Sequence, residues 1–266
     1  RSAIFMRVMT ASRTRCAPRY AIALALCAAV NSIVLGYDIG VMGGAILFIR
    51  DQFALTTLQT GALLGCFNLC AIGGALSAGR LSNGLGRTRT LAAASCFFCV
   101  GNGIMALSTG FSGLIVGRMI AGVGSGFGLS IDPMYIAETA PAEFRGALIT
   151  IFCETAINIG IISGVVVSFV CSFVPDGNVA WRLMIAVGAV APLLEVALAL
   201  FVMPETPRWL VRHGQPVEAL AILRRLSATE IGAQQALLDI RADVRIGMLR
   251  SAGDAERSCF DARGCC

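Results

Sequence analysis

The chain has 266 residues, 56% of them hydrophobic and 14% charged, whereas a soluble domain carries about a quarter charged residues. That composition excludes an ordinary water-soluble fold. The net charge of +5 rests on 21 basic residues that are all arginine. They lie in short clusters between apolar blocks, without the basic stripe or interleaved aromatics of a nucleic-acid binder, so the charge reads as membrane orientation.

The opening stretch, 1–19, is basic and polar, with Arg1, Arg7, Arg13, Arg15 and Arg19. It does not read as a signal peptide, because the apolar block behind it is too long for an h-region. A chain that starts with arginine is expected to be a fragment. Six apolar blocks follow, at 20–49, 57–79, 90–110, 112–137, 147–174 and 181–203. Each is near the ~20 residues that a helix needs to cross a bilayer. Backbone groups cannot stay unpaired in lipid, so each block is expected to be a helix. The fold class is therefore all-α integral membrane: a six-transmembrane-helix bundle over 20–203 with short cytoplasmic helices after it.

Arginine placement orients the bundle through the positive-inside rule. The N-terminal arm, Arg80, Arg87 and Arg89 of the second connector, Arg145 of the fourth, and all arginines from Arg208 onward share one side. The other side holds only Arg50 and Arg182, and Arg118 lies within a span. Both termini are expected in the cytoplasm.

Residues 204–250 carry mixed charge at helical spacing, in 215–227 and 230–246, as amphipathic cytoplasmic helices would. Residues 251–266 have no clear period and are expected to be disordered. His213, the single histidine, reads as a loop residue.

Glycines recur every fourth residue within spans, as in Gly36, Gly40 and Gly44, or Gly160 and Gly164. Small residues let helix backbones approach closely. The run Gly122, Gly124, Gly126, Gly128 follows no strand and misses the dinucleotide-loop spacing, so it also reads as packing. Cys27, Cys66, Cys70, Cys96, Cys99, Cys153 and Cys171 lie in apolar blocks, where cysteine acts as a small hydrophobe. The Cys96–Cys99 pair lacks the second pair that a zinc site needs. Cys259, Cys265 and Cys266 in the tail are free thiols or acylation sites. No metal ligand set, nucleophile–base pair or phosphate loop is evident, and an enzyme is not expected.

Five phrases carry a resemblance. Gly36-Tyr37-Asp38-Ile39-Gly40-Val41-Met42 lies in the first span, and Gly79-Arg80-Leu81-Ser82-Asn83-Gly84-Leu85-Gly86-Arg87 joins the second to the third. Gly117-Arg118 opens the fourth span, which ends in Pro133-Met134-Tyr135-Ile136-Ala137-Glu138 before Arg145-Gly146. Pro204-Glu205-Thr206-Pro207-Arg208-Trp209-Leu210 follows the sixth. The chain resembles the sugar-porter family of the major facilitator superfamily. Through Glu154, Asn158, Gly160 and Ile161 it most resembles the plant polyol/monosaccharide proton symporters. The family has two six-helix halves, and the match covers only the first.

The resemblance implies proton-coupled symport of polyols or monosaccharides, with H+ as coupling ion and no other cofactor. Asp38 and Arg118 match its proton-coupling pair. Arginine keeps its charge while the proton on the acid can follow solvation and separation. Glu154 and Asn158, one turn apart, match polar substrate contacts near the midplane. One extra residue stands between Arg145 and Glu154 relative to the family, which leaves the facing of Glu154 open. Arg80, Asn83, Arg87, Glu138, Arg145, Glu205 and Arg208 match a cytoplasmic gate or latch, with Asn83 in place of the usual aspartate.

Two acids depart from the family. Asp132 lies 14 residues after Arg118 on the same helix face, about 21 Å deeper at 1.5 Å per residue, where it is expected to line the cavity. Glu195 stands near Pro192 in a span that is otherwise apolar, and the sequence offers no account of it.

The expected partners are a polyol or sugar, the lipid bilayer, and a second six-helix half or a full-length porter. Nucleic acid is not expected. The plasma membrane is preferred to the vacuole. The alternative is a truncated, non-transporting six-span remnant or a regulatory partner of full-length porters.

Overall fold

The computed structural model describes residues 18–140, 145–227 and 229–263. The expectations for 1–17 and for Cys265 and Cys266 lie outside the described residues. The first four spans are unbroken helices: α1 (Pro18–Phe53), α2 (Thr57–Leu85), α3 (Arg87–Leu107) and α4 (Phe111–Thr139). Each is at least as long as its apolar block requires, because polar end residues extend it. At the start of α2, the Thr56 hydroxyl accepts from Gln59 N–H at 3.3 Å. The Gln59 side chain in turn accepts from Thr56 N–H at 3.0 Å. This reciprocal box satisfies donors that the helix itself leaves unpaired. Between α2 and α3, Gly86 adopts φ 99°, a conformation that side chains disfavour.

The fifth span is composite. A short α5 (Arg145–Ile149) runs into a π-helical segment, Thr150–Glu154, and then α6 (Thr155–Cys171). A π segment accommodates one extra residue within a helix. It therefore absorbs the insertion noted between Arg145 and Glu154. The sixth span is α7 (Gly177–Val187) followed by α8 (Val190–Phe201), interrupted at Gly188 and Ala189. Pro192 explains the break, since it has no N–H to continue the ladder and its ring crowds the preceding turn.

Among the described residues, six helices are long and apolar enough to cross a membrane. The first and fourth are the most enclosed, and the second and fifth show most of their surface. Leu69, Ile72, Leu76, Ile162, Phe169 and Phe201 are exposed apolar side chains on that outer surface, which suits lipid or another membrane helix better than water.

The glycines explain how the spans come so close. A side chain at Gly36 or Gly40 would collide with the carbonyls of Ile157 and Ile161. One at Gly160 or Gly164 would collide with those of Ile33 and Tyr37. The α1 and α6 backbones thus meet with no Cβ between them, as small-residue stripes allow in membranes. In the same core Tyr37 donates to the Met184 carbonyl at 2.7 Å, and Ser168 to that of Val41 at 3.1 Å.

The chain divides into two compact units, one of Ala21–Glu205 and one that gathers the described residues from Thr206 onward with Pro18–Tyr20. In the second, α9 (Pro207–Arg212), α10 (Pro216–Leu226) and α11 (Glu230–Arg263) close over Leu210, Ala219, Leu223, Ala233 and Leu237. Both amphipathic segments expected from the sequence are helical here. The expectation of disorder from 251 is corrected: α11 continues to Arg263.

Candidate functional site

Asp38 lies midway along α1, and Arg118 lies two turns into α4. Arg118 Nη1 stands 2.7 Å from each carboxylate oxygen of Asp38. Both side chains are only 4% exposed. The guanidinium carbon sits 4.5 Å from the centroid of the Phe67 ring on α2, an additional cation–π contact. Among the described residues Arg118 Nε has no hydrogen-bond partner.

Two ions cannot leave water cheaply, and one partner without the other would cost several kcal/mol. The pair is therefore mutually required, yet it is not sealed off. Asp38 and Arg118 line an open cavity of about 420 Å³ with Phe67, Asn68, Ser125 and Leu129, a size suited to a small molecule.

Sequence reasoning missed Phe67 and Asn68. One signal was available: Leu63, Phe67, Ala71 and Gly74 form the buried stripe of α2, and Phe67 is its aromatic member.

Glu154 and Asn158 are both exposed, on one face of the fifth span. Asn158 Nδ2 donates to the Glu154 carbonyl at 2.8 Å. Glu154 ends the π segment, so the segment sets its facing. Neither residue is among those lining the cavity beside Asp38.

At the other end of α4 the expected gate residues come together in part. Arg87 makes a two-point contact with Glu138, Nε to Oε2 at 3.1 Å and Nη2 to Oε1 at 3.0 Å. It also donates to the Ser82 carbonyl at 3.1 Å and to Asn83 Oδ1 at 3.4 Å. Such a fork matches carboxylate geometry. Glu205 does something the sequence did not foresee. Its carboxylate accepts from Arg87 N–H at 2.8 Å, Thr88 N–H at 3.3 Å and Thr88 hydroxyl at 2.9 Å. It thereby caps the N-terminus of α3, where unpaired N–H groups and the helix dipole favour an anion. Arg80, Arg145 and Arg208 are exposed and have no ion pair among the described residues.

Asp132 requires a correction. It is 2% exposed and turned into the bundle, where Asn31 Nδ2 and Ser32 Oγ of α1 donate to its Oδ2 at 3.1 and 2.9 Å. It is not among the residues lining the cavity. The reason is local: Gly128, one turn earlier, leaves the space that the Asn31 amide fills.

The family model described as sugar (and other) transporter matches residues 24–256. Putative polyol transporter 1 of Arabidopsis thaliana is 43% identical over 228 residues, which cover 86% of this chain and 44% of that protein. The proton:xylose symporter XylE bound to 6-bromo-6-deoxy-D-glucose superposes with a TM-score of 0.77 at 27% identity, over 86% of this chain and 54% of the other. XylE from E. coli in its partially occluded inward open form gives 0.78 at 27%, over 86% and 60%. The chain thus spans less than half the length of the polyol transporter it matches. These relatives are transporters rather than enzymes, and this chain is a multi-pass membrane protein of the sugar (and other) transporter family.

Proposed function

We propose that this chain is the N-terminal six-span half of a proton-coupled symporter for polyols or monosaccharides. The observation that carries the reading is the Asp38–Arg118 pair, 2.7 Å apart on the wall of an open cavity. Proton entry onto Asp38 would release the Arg118 guanidinium, and the cavity lets that release respond to solvent and substrate. The similarity to a proton:xylose symporter and to a polyol transporter supports both the coupling ion and the substrate class.

In this reading Glu154 and Asn158 offer polar contacts to hydroxyl groups from an exposed face of the fifth span. Arg87 with Glu138 and Glu205 forms the N-half's share of the cytoplasmic gate. Asn83, which accepts from Arg87, and Arg80 and Arg145 belong to the same gate. Both termini face the cytoplasm, by the distribution of arginines, and the plasma membrane is the expected location. A second six-helix half completes the substrate path.

The test is uptake of labelled polyol in transporter-deficient cells. Two forms are compared: the chain alone, and the chain joined to the C-terminal half of Arabidopsis putative polyol transporter 1. The joined form is expected to take up polyol with acid stimulation, and Asp38→Asn to lose that stimulation. Equal stimulation in Asp38→Asn would overturn the coupling role. A silent joined form that alters uptake by a full-length porter would favour the regulatory reading.

A further inference from the structure

A second set of ionisable groups lies deeper in the same unit, away from the cavity. Asp132 of α4 keeps one oxygen, Oδ1, without a hydrogen bond among the described residues. Glu195 of α8 is 0% exposed, and neither of its carboxylate oxygens has a hydrogen-bond partner among them. The two acids interact electrostatically, as do Glu195 and Cys27 of α1. Cys153 of the π segment interacts in the same way with Asp132 and Glu154. Cys99 of α3 approaches the Ala189 carbonyl just before α8. No arginine pairs with either acid among the described residues.

An ionised carboxylate buried without a cation or donors is far costlier than a neutral acid in the same place. Two of them within electrostatic range are costlier still, because each repels the other. The donors present, Asn31 and Ser32, both serve one oxygen of Asp132 and leave Glu195 with nothing. The inexpensive arrangement puts a proton where the donors are missing. A proton on one acid removes its charge and with it the repulsion between the two.

We propose that Asp132 and Glu195 together form a second proton-binding site, distinct from the Asp38–Arg118 pair, in which at least one carboxyl is a neutral acid at neutral pH. Its ligand is the proton itself. The site stands whether or not the chain takes part in transport. It shares α4 with Arg118 and Glu138, so its charge state bears on the helix that carries both the outer pair and the gate.

Infrared spectroscopy of the purified 266-residue chain in detergent tests this directly. The wild type at neutral pH is expected to show a protonated-carboxyl C=O band with the downshift in D2O that marks an exchangeable proton. Glu195→Gln should remove intensity equal to one carboxylic acid, and Asp132→Asn should move or remove the same band. Glu195→Leu places an apolar side chain in an apolar site, keeps the chain folded if the amide variant does not, and should give the same loss. Absence of the band in wild type at neutral pH would overturn the proposal. So would an unchanged band across all three variants.

Discussion

Helix α4 holds an ionisable side chain near each end of its membrane stretch, and the bundle treats them in opposite ways. Arg118 meets an acid at 2.7 Å, rests over an aromatic ring and borders an open cavity. Asp132 meets two neutral donors and lies within electrostatic range of a second acid, with no ion pair among the described residues and apart from the cavity beside Asp38. The first arrangement keeps charge in the membrane by pairing it. The second can only keep it out by holding a proton. A membrane acid is thus not one kind of feature: what it does is decided by its nearest partner.

The sharpest way to break this contrast is to remove the cation. Arg118→Leu strands Asp38 and is expected to cost about 3–5 kcal/mol, the usual result of leaving one member of a buried pair alone. Arg118→Leu combined with Asp38→Asn should recover most of that loss, since no orphan charge remains. Thermal unfolding in detergent measures both. Equal losses in the single and double variants would mean that packing, not pairing, holds Asp38 in place.

Glu205 sharpens the comparison with a third kind of partner, a helix end. Glu205→Ala removes the acceptor for Arg87 and Thr88 N–H and should cost about 1–2 kcal/mol, as loss of a cap does. Glu205→Gln should retain part of it, because an amide oxygen still accepts. If Glu205→Ala leaves the unfolding midpoint unchanged, water replaces the cap and the contact is incidental.

Glu195 should behave in the opposite sense. With no partner to lose, Glu195→Leu is expected to raise stability by roughly 1 kcal/mol, the scale of relieving one buried polar group. A destabilised variant would show that the carboxyl has a partner that the geometry does not reveal.

The sequence made the spans legible because a bilayer imposes one long apolar run per crossing. The outer pair was legible too: Asp38 and Arg118 are the ionisable residues whose spacing from the span ends could bring them together. What the sequence hid depends on close approach. The facing of Glu154 followed from a π segment, which no period announces. The enclosure of Asp132 followed from Gly128 making room for Asn31, a contact between residues about a hundred positions apart. Glu205 read as one more latch charge, because nothing in its phrase says that its oxygens end up on the first N–H groups of α3. The helix from 251 to 263 was missed for another reason, since mixed polarity without an apolar stripe is shared by solvated helices and disordered chain.

The smallest effect belongs to the carboxylate in the most ordinary setting. Glu230 accepts from Arg224 Nε at 2.9 Å and Nη2 at 2.7 Å, with both side chains about half exposed. The Arg224 hydrogen bonds hold the Glu230 carboxyl below its ordinary value of 4.5. Its ionised form is therefore favoured in the folded unit. That contribution is fully present above the unfolded glutamate's pKa and fades as pH falls through the lower, folded value. Water and salt screen an exposed pair of this kind. Arg224→Ala should thus leave unfolding unchanged at neutral pH in high salt. In low salt it should lower stability slightly, and that loss should vanish on acidification. A loss that survives in acid would assign the role of Arg224 to its aliphatic stem rather than to its charge.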